Sequence, residues 1–424
     1  AALGARIGAQ RLLSFDMGGT TAKAATILDG IAQVAHEYEA AGRTHSGHAI
    51  KGSGYPVRFP FVDLAEVSAG GGTVAWIDDA GALRVGPISA GADPGPACYG
   101  KSDRATVTDA NVVLGRLHQT HLLGGDFPID ASRARAAVNE VARRLEMRVE
   151  QAAAGIVALI DDAMAKALRI VTIERGIDPR DFTLVAFGGG GPLHACALAD
   201  ELEIRRILVP AHPGLFSAFG LLDAELHVND VWPVMSAADA LDVRSVERAF
   251  TAKGSRARTE LCRQGARDET IAFRRECDAR YRGQSFELTI AYDSNPARIA
   301  ERFHESHRAR YGYDAPDEVV EVVNARLTAS GKVAAVGARA TLRVTLSLSS
   351  GAESRDKGRH EATRAVWIDN NFTDVPVFQR NALRSETTIA GPAIVEQYDT
   401  TTYVAPRWKL GVEDDLLVLA RDGR

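Results

Sequence analysis

The sequence predicts an α/β fold in its first half, followed by an α+β region. The main observation is a strand-like run at 182–187, a glycine turn, a helical run at 193–202 and another strand-like run at 205–210, the order of a βαβ unit. A helical apolar pattern over 149–176 precedes this unit. Short β-type runs dominate after Ala279, with one helical interruption, which is typical of an α+β fold.

Chain length, charge and cysteine content limit the class of protein and the partners it can have. A chain of 424 residues predicts two to three domains, at ~100–200 residues each. The pattern of predicted helices and strands changes near Trp232-Pro233, so we predict domains at 1–235 and 236–424. The chain has 50 basic and 55 acidic residues, which argues against nucleic acid or an anionic membrane as the main partner. The four cysteines show no metal-binding spacing, and no apolar run is long enough to span a membrane, so we expect free thiols in a cytoplasmic protein.

Local patterns predict the elements in order. Residues 11–30 predict a strand, a glycine-rich turn and a second strand, and Asp79-Ala80-Gly81 predicts a hairpin. A helix is predicted over 132–147 with Ser132 as its N-cap, and the long helix is predicted to end at Gly176. Further predictions are two helices, 238–265 and about 297–311, and a mobile polar loop, 347–363.

Three glycine-rich turns in the first half each follow an apolar strand-like run. They are Gly18-Gly19, Gly70-Gly71-Gly72 and Gly188-Gly189-Gly190-Gly191. Glycine lets backbone N–H groups approach an anion closely, because no Cβ is in the way. A threonine after the glycines, such as Thr73, adds a hydroxyl donor.

The first turn lies in "SFDMGGTTAKAATI". Asp16 would repel a bare phosphate, but it suits Mg²⁺, which is held by one or two carboxylates together with phosphate oxygens. Thr20 and Thr21 add hydroxyl donors, and Lys23 adds positive charge nearby. The pattern predicts a site for a magnesium-bound phosphate.

The third turn stands directly before a helical run, in "AFGGGGPLHACALADEL". Small residues there allow a flat base or ribose to lie on the backbone, and a helix N-terminus carries partial positive charge. We therefore predict the adenosine end here. The plain alternative is a structural turn, since neither turn matches GxxxxGK[ST] or GxGxxG. The combination of both turns with the long helix between them favours nucleotide binding.

Seven segments carry a family resemblance: "LLSFDMGGTTAKA", "GALRVGPISAGADPGPACYG", "TVTDANVVLGRL", "IERGIDPRDFTLVAFGGGGPLHACALADEL", "ECDARYRGQSFELTI", "FHESHRARYGY" and "GPAIVEQYDTTTYVAP". They resemble the A-type subunit of the hydantoinase/oxoprolinase family, which includes N-methylhydantoinase A, 5-oxoprolinase and the acetone carboxylase beta subunit. The resemblance covers nearly the whole chain. It implies an ATPase domain like that of actin, Hsp70 and sugar kinases (ribonuclease H-like), followed by an α+β C-terminal domain.

The resemblance also implies an activity. We expect ATP-dependent hydrolysis of a cyclic amide, of the hydantoin, N-methylhydantoin or 5-oxoproline type, through phosphorylation of the substrate oxygen. The implied cofactors are ATP and Mg²⁺ (or Mn²⁺), and the implied partner is a B-type subunit in a hetero-oligomer. The alternatives are a ketone carboxylase subunit, a non-catalytic ATPase switch of the actin or Hsp70 type, and a small-molecule kinase.

The family's motifs also imply roles for single residues. Those implied to face the β- and γ-phosphates and the metal are Asp16, Gly18, Gly19, Thr20 and Thr21, with Lys23 nearby. Those implied to face the adenosine are Gly188, Gly189, Gly190 and Gly191. The weaker phosphate candidates, which alternatively shape the substrate entrance, are Gly70, Gly71, Gly72 and Thr73. The family has a further DxGGT segment upstream, in an N-terminal domain, so we expect this chain to be a fragment with half of the nucleotide site.

Other polar residues have weaker claims. Asp109 and Asn111 follow a Gly/Pro-rich loop and are candidates to reach the cleft, with Asp109 a candidate catalytic residue. His304 and His307 lie one helical turn apart, but no third zinc ligand is visible. The remaining candidates are expected to be structural or solvated: His45, His48 and Lys51 in a polar loop, Cys98 as a structural thiol, and Asp161 and Asp162 as solvated or capping residues on the long helix. Glu174-Arg175, at the end of that helix, is expected to be a local ion pair or to border the adenine pocket.

Overall fold

The computed structural model describes residues 1–35, 38–40, 44–45, 48–49, 54–57, 61–222, 224–333 and 362–422. The chain forms two compact units. The first unit comprises Ala1–Gly220 together with Leu348–Arg424, and the second comprises Leu221–Ser347.

The helices and strands are numbered here in chain order. The helices of the described ranges are α1 (Ala2–Ile7), α2 (Val107–Val113), α3 (Ala131–Arg144), α4 (Val149–Val171), α5 (Gly191–Glu201), α6 (Phe216–Leu222), α7 (Val243–Arg263) and α8 (Pro296–Tyr311). The strands up to residue 210 are β1 (Leu12–Met17), β2 (Ala22–Leu28), β3 (Ile31–Ala32), β4 (Val34–Ala35), β5 (Tyr38–Ala40), β6 (Thr44–His45), β7 (His48–Ala49), β8 (Tyr55–Val57), β9 (Phe61–Val62), β10 (Leu64–Val67), β11 (Thr73–Ile77), β12 (Leu83–Ser89), β13 (His121–Leu122), β14 (Phe127–Pro128), β15 (Thr183–Phe187) and β16 (Arg206–Val209). The later strands are β17 (Leu226–Ala237), β18 (Ala272–Tyr281), β19 (Leu288–Ala291), β20 (Val320–Gly331), β21 (Ala362–Ile368), β22 (Asn371–Gln379), β23 (Thr388–Ala390), β24 (Ala393–Gln397), β25 (Thr400–Val404), β26 (Trp408–Glu413) and β27 (Leu416–Arg421).

The main sheet of the first unit has the strand order β10-β2-β1-β15-β16-β27-β26-β23, with β3 paired to β2. Strands β1, β15 and β16 are parallel, and α5 connects β15 to β16, so the predicted βαβ unit is confirmed. Leu12 and Leu13 of β1 are both fully buried, because they belong to different core clusters on the two faces of the sheet. Burial on both faces is the usual state of parallel strands, and it explains the continuous apolar run before Asp16.

Helix α4 packs in the core of the first unit. Its largest buried residues recur every three or four positions, as the sequence predicts: Ile156, Ile160, Met164, Leu168 and Val171. The helix ends before the predicted Gly176, and a short 3-10 turn over Ile173–Arg175 follows. Gly176 closes this turn with φ of 73°, a left-handed conformation that glycine adopts without strain.

The N-cap of α3 differs from the prediction. The cap is Asp130, whose Oδ1 accepts hydrogen bonds from the backbone N–H of Ser132 at 2.8 Å and from its hydroxyl at 2.6 Å. The prediction of Ser132 as N-cap was therefore wrong. Ser132 lies within the first turn and donates to the carboxylate that caps it.

The C-terminal strands return to the first unit. Strand β27 pairs antiparallel with β16, with Val418 opposite Leu208. Strands β21, β22, β24 and β25 form a further sheet, and Val375 and Ile394 of this sheet pack with Leu193 of α5. The first compact unit is therefore built from two separate stretches of the chain, because strand pairing joins segments that are far apart in sequence.

The second unit consists of an antiparallel sheet, β17-β20-β18-β19, with α7 packed on β17 and β20 and α8 packed on β19. Phe250 of α7 and Phe303 of α8 are fully buried in its core. Asp278 of β18 is also buried, and it accepts hydrogen bonds from Arg326 at 2.6 Å and Asn324 at 2.9 Å. The Asp278 carboxylate therefore contributes to the internal contacts of the second unit.

Some predictions fall outside the described residues. The structure gives no account of the side chains of His45 and His48, of Lys51, or of 347–361 in the predicted polar loop. Within the described ranges, no helix combines the length and the apolar character needed to cross a membrane.

Candidate functional site

A cavity of about 650 Å³ lies in the first unit. Small-molecule sites in proteins commonly have volumes of ~300–1,000 Å³. The glycines that line it come from all three predicted turns: Gly18, Gly19, Gly71, Gly189 and Gly190. The structure therefore brings the two predicted halves of a nucleotide site to one cavity.

The other residues predicted for the site do not line this cavity. They are Asp16, Thr20, Thr21, Lys23, Gly70, Gly72, Thr73, Asp109, Gly188 and Gly191. Several of them border the lining residues and fix their positions. Each turn is therefore described separately below.

The first turn joins β1 to β2, as predicted. The N–H of Gly18 donates to the carbonyl oxygen of Thr21 at 3.1 Å. In the part of the chain that the structure describes, the N–H groups of Gly19, Thr20 and Thr21 have no hydrogen-bond partner. Consecutive unpaired amides of this kind form a concave donor site for an anion. A Cβ on Gly18 or Gly19 would meet nothing closer than 3.9 Å, so there is open space beside these two glycines.

Asp16 stands beside this turn, near the end of β1. Its Oδ2 accepts a hydrogen bond from the hydroxyl of Ser217 at 2.9 Å. Lys23 lies opposite Asp16 in the strand pair, and its Nζ is 3.8 Å from Oε1 of Glu66. The positive charge of Lys23 is thus directed to a surface carboxylate, and a phosphate role for Lys23 has no support in this geometry.

The second turn supports the first one. The N–H of Gly71 donates to Gly18 at 3.1 Å, and the N–H of Gly72 donates to Gly19 at 2.7 Å. The N–H of Gly70 donates to Oγ1 of Thr73, which is fully buried. Because all three glycine amides have partners, they do not offer donors to a phosphate. This turn instead holds the backbone of the first turn in place.

The third turn packs directly against β1. Gly188 has φ of 79°, and a Cβ there would lie 2.3 Å from the carbonyl oxygen of Met17 and 2.5 Å from Oδ1 of Asp16. The N–H of Gly190 donates to the same carbonyl oxygen at 2.9 Å. Helix α5 then begins at Gly191, as predicted for a helix that follows the turn. Glycine at position 188 is therefore required by the close approach of the first and third turns.

Asp109 has a structural role. Its Oδ2 accepts hydrogen bonds from the backbone N–H groups of Ala97 at 3.0 Å and Thr106 at 2.9 Å, and from the Thr106 hydroxyl at 2.7 Å. Its Oδ1 accepts from the backbone N–H of Cys98 at 2.8 Å. The carboxylate is fully buried and does not reach the cavity, so the predicted catalytic role has no support in this geometry.

The segment after β24 forms part of the cavity wall that was not predicted. Asp399 accepts a hydrogen bond from the backbone N–H of Gly214 at 2.7 Å, and the Thr400 hydroxyl donates to the carbonyl oxygen of Gly189 at 2.9 Å. Both residues line the cavity. Asp399 and Thr400 lie in "EQYDTTTYVAP". This segment carries part of the family resemblance, but it contains no recognisable binding motif.

Two histidines, His118 and His121, also line the cavity, with ring centroids 3.6 Å apart. Burial, followed by the neighbouring His121, lowers the pKa of His118. The backbone N–H of Thr120 donates to Nδ1 of His118 at 3.2 Å, so this nitrogen carries no proton. The lowered pKa and the accepting Nδ1 both favour the neutral imidazole over the charged form.

Polar side chains from three helices meet beside the cavity, and two of them are buried. Asp161 of α4 approaches Nδ1 of His194 of α5 at 2.6 Å, and Nε2 of His194 is 3.4 Å from Nδ2 of Asn111 of α2. His194 and Asn111 line the cavity and are each about 1% exposed. The expectation that Asn111 reaches the cleft is confirmed. The expectation that Asp161 is solvated or a cap was wrong, because the sequence pattern does not reveal which helix packs against it.

The remaining candidates have structural contacts. Burial, and secondarily Asp109, raises the pKa of the Cys98 thiol, which fits the predicted structural role. His304 is hydrogen-bonded to the Tyr281 hydroxyl at 2.8 Å. Arg175 forms an ion pair with Asp63.

The chemistry of this site fits a nucleotide and a divalent cation. The unpaired amides of Gly19, Thr20 and Thr21 suit phosphate oxygens, and the carboxylate of Asp16 suits Mg²⁺. Among the described residues, no group of three or more His, Cys, Asp or Glu side chains is placed to hold a metal ion. A cation here would therefore depend on Asp16 and on oxygens of its ligand.

The chain is similar in sequence to several known proteins. The chain is 43% identical over 408 residues to an uncharacterized protein of Methanocaldococcus jannaschii, with 95% of this chain and 57% of that protein covered. It is 30% identical over 420 residues to the caprolactamase subunit alpha of Pseudomonas jessenii, with 96% and 57% covered. It is 29% identical over 413 residues to the 5-oxoprolinase of Saccharomyces cerevisiae, with 93% and 31% covered. The chain thus spans little more than half the length of the first two relatives.

Two solved structures share the fold. The ATP-dependent caprolactamase of Pseudomonas jessenii matches with a TM-score of 0.79 at 27% identity, covering 100% of this chain and 60% of that one. Nucleotide-free acetone carboxylase matches with a TM-score of 0.75 at 22% identity, covering 99% and 59%. The mixed α/β fold is therefore shared with both enzymes.

Family profiles cover both parts of the chain. The Hydantoinase/oxoprolinase profile matches residues 1–229, and the Hydantoinase/oxoprolinase C-terminal domain profile matches residues 235–418. The chain belongs to the hydantoinase/oxoprolinase family.

Proposed function

We propose that this chain is the ATP-binding part of an ATP-dependent cyclic amide hydrolase, of the hydantoin, N-methylhydantoin or 5-oxoproline type. The observation that carries the proposal is the row of unpaired amides, Gly19 to Thr21, beside a cavity also lined by Gly189 and Gly190. The names of two relatives, caprolactamase subunit alpha and 5-oxoprolinase, support cyclic amides as the substrate class. In this proposal the first unit is a nucleotide-binding fold of the actin, Hsp70 and sugar-kinase type.

Each element of the site has a role in this proposal. The amides of Gly19, Thr20 and Thr21 hold anionic phosphate oxygens, and Asp16 holds Mg²⁺ (or Mn²⁺). The backbone of the Gly188–Gly191 turn supports the adenosine, and the N-terminus of α5 adds partial positive charge. The second turn keeps the amides of the first in position, through the bonds from Gly71 and Gly72.

The chemistry explains why such an enzyme uses ATP. A ring amide resists hydrolysis because its nitrogen donates electron density to the carbonyl group. Bound Mg-ATP would supply a phosphoryl group to the amide oxygen, with release of ADP, and this would activate the ring carbon toward water; cleavage of the carbon–nitrogen bond and release of phosphate would then give the open-chain product. The role of this chain is to position the reacting groups and exclude water, and we propose that a B-type subunit completes the hydrolysis.

The test is ATP turnover by the polypeptide that contains this chain, with and without a co-expressed B-type subunit. We expect ADP release to rise when a hydrolysable ring is added, from a panel of hydantoin, N-methylhydantoin, 5-oxoproline and simple lactams. A rate of ATP turnover that does not change with any added ring would indicate an ATPase switch. Turnover that requires a ketone and bicarbonate would indicate a carboxylase, and a stable phosphorylated product in phosphorus NMR would indicate a kinase.

A further inference from the structure

The side chain of Asn111 presents an acceptor without a partner beside the cavity. Its Oδ1 is buried and has no hydrogen-bond partner among the described residues, although the residue is only about 1% exposed. A buried amide oxygen without a donor has lost its hydrogen bonds to water and gained none in return, which is unfavourable. Asn111 lines the cavity, so a bound molecule is the natural source of the missing donor.

The orientation of the Asn111 amide is fixed by its neighbours. Its Nδ2 donates to the carbonyl oxygen of Val107 at 3.1 Å. If the amide were rotated by half a turn, Oδ1 would face that carbonyl oxygen instead, which sets two acceptors against each other. The orientation with Oδ1 left over is therefore the favourable one.

The histidine on the other side favours the same orientation. Nδ1 of His194 lies 2.6 Å from the carboxylate of Asp161, so this nitrogen carries the hydrogen. Nε2 then presents a lone pair to Nδ2 of Asn111 at 3.4 Å. Both amide hydrogens of Asn111 are thus directed at protein acceptors, and Oδ1 is the polar atom of this side chain that is left without a partner among the described residues.

We propose that Oδ1 of Asn111 accepts a hydrogen bond from the bound molecule, and that the donor is the ring N–H of a secondary cyclic amide. The surroundings suit a small ring with methylene groups, since Val107, Leu117 and Leu193 line the same cavity. The proposal rests on the proposed function, and it adds a preference for rings that carry an N–H. The other source of a donor in this site is the nucleotide, through a ribose hydroxyl or the adenine amino group.

A preference of this kind has a physical basis. A site with a buried acceptor rejects analogues that lack the donor, because the acceptor then stays unsatisfied. Asp161 and His194 are positioning residues in this account, since they hold the Asn111 amide and do not touch the ring. Loss of one hydrogen bond corresponds to about a tenfold change in affinity.

The experiment is calorimetric binding to the full chain, with and without Mg-ADP. The probes are matched rings with and without an N-methyl group: 2-pyrrolidone, 2-piperidone and ε-caprolactam with their N-methyl forms. The variant is Asn111→Leu, which keeps the side-chain size and removes the acceptor. The control is Asn371→Leu at an exposed strand position, and thermal unfolding checks that both variants fold.

We expect wild-type protein to bind one N–H ring about tenfold more tightly than its N-methyl form, and we expect Asn111→Leu to abolish that ratio. Equal affinities of all N–H and N-methyl pairs for wild type, including no binding by either, would overturn the ring assignment without any variant. A loss of Mg-ADP affinity in Asn111→Leu would assign the donor to the nucleotide instead. If no probe distinguishes Asn111→Leu from Asn371→Leu, the acceptor has no ligand role. None of these readouts needs ATP turnover, so a failure of the proposed function is seen separately.

Discussion

The hydroxyl of Ser217 donates a hydrogen bond to Oδ2 of Asp16, with 2.9 Å between the oxygens. Ser217 lies in α6, whereas Asp16 is the penultimate residue of β1. Oδ1 of Asp16 lies on the side of Gly188, where a Cβ would come within 2.5 Å. Asp16 is therefore held between the third glycine turn and α6.

Replacing Asp16 tests its role toward the cation. We expect Asp16→Asn to weaken Mg-ADP binding by more than about tenfold, because a charged ligand is lost, and Ser217→Ala to weaken it by a smaller factor. Calorimetric titration measures both affinities. Asp79→Asn, at an exposed hairpin position, serves as the control. An affinity for Mg-ADP that does not change in Asp16→Asn would contradict the assignment.

Replacing Gly188 tests the close approach of two turns. A Cβ at this position meets backbone atoms of Met17 at 2.3 Å, and the residue has φ of 79°. We expect Gly188→Ala to lower the free energy of unfolding by more than ~2 kcal/mol and to weaken Mg-ADP binding. Gly411→Ala has open space around its Cβ, so we expect a change below ~1 kcal/mol. Denaturant titration compares the two, and equal stabilities would show that the turns can separate freely.

Replacing Asp109 separates structure from catalysis. Its carboxylate accepts four hydrogen bonds, and an amide nitrogen in Asp109→Asn would face donors. We expect a loss of ~2–4 kcal/mol in the free energy of unfolding, with unchanged Mg-ADP affinity at temperatures where the variant is folded. Asp103→Asn is the control, since that side chain is almost fully exposed. A variant with wild-type stability and no turnover would instead restore the catalytic role.

The lowered pKa of His118 leads us to expect that the free energy of unfolding depends on pH. Because its pKa is lowered in the folded state, the unfolded chain binds more protons at mildly acidic pH, and stability falls as the pH falls through about 6.5. His118→Asn keeps an acceptor for the Thr120 N–H but cannot titrate. We expect the difference in Tm between pH 7.5 and pH 5.5 to be smaller in this variant than in wild type. Parallel losses in the two proteins would exclude His118 as a contributor.

The sequence predicted those features that depend on neighbouring residues. The β1–β2 hairpin with its glycine turn and the βαβ unit around α5 are local patterns, and both are confirmed. The distant partners of Asp161 and Asp109 were not predictable, since a carboxylate on a helix gives no sign of which chain segment packs against it. The local pair of Thr106 and Asp109 does have a sequence signal, the spacing of a capping box. The Gly70–Gly72 turn resembled a phosphate loop because a sequence does not show which backbone amides already have hydrogen-bond partners. Only the fold reveals that its amides are already bonded to the first turn.

The pairing of β27 with β16 has a consequence for the order of folding during synthesis. Strand β16 pairs with β15 on one side. Its other edge pairs with β27, where Leu417 lies opposite Val209. The intervening chain must be translated before that edge is covered, and closing so long a loop is entropically slow. An uncovered apolar strand edge can pair with other chains, so the first unit is most prone to association before β27 has been synthesised.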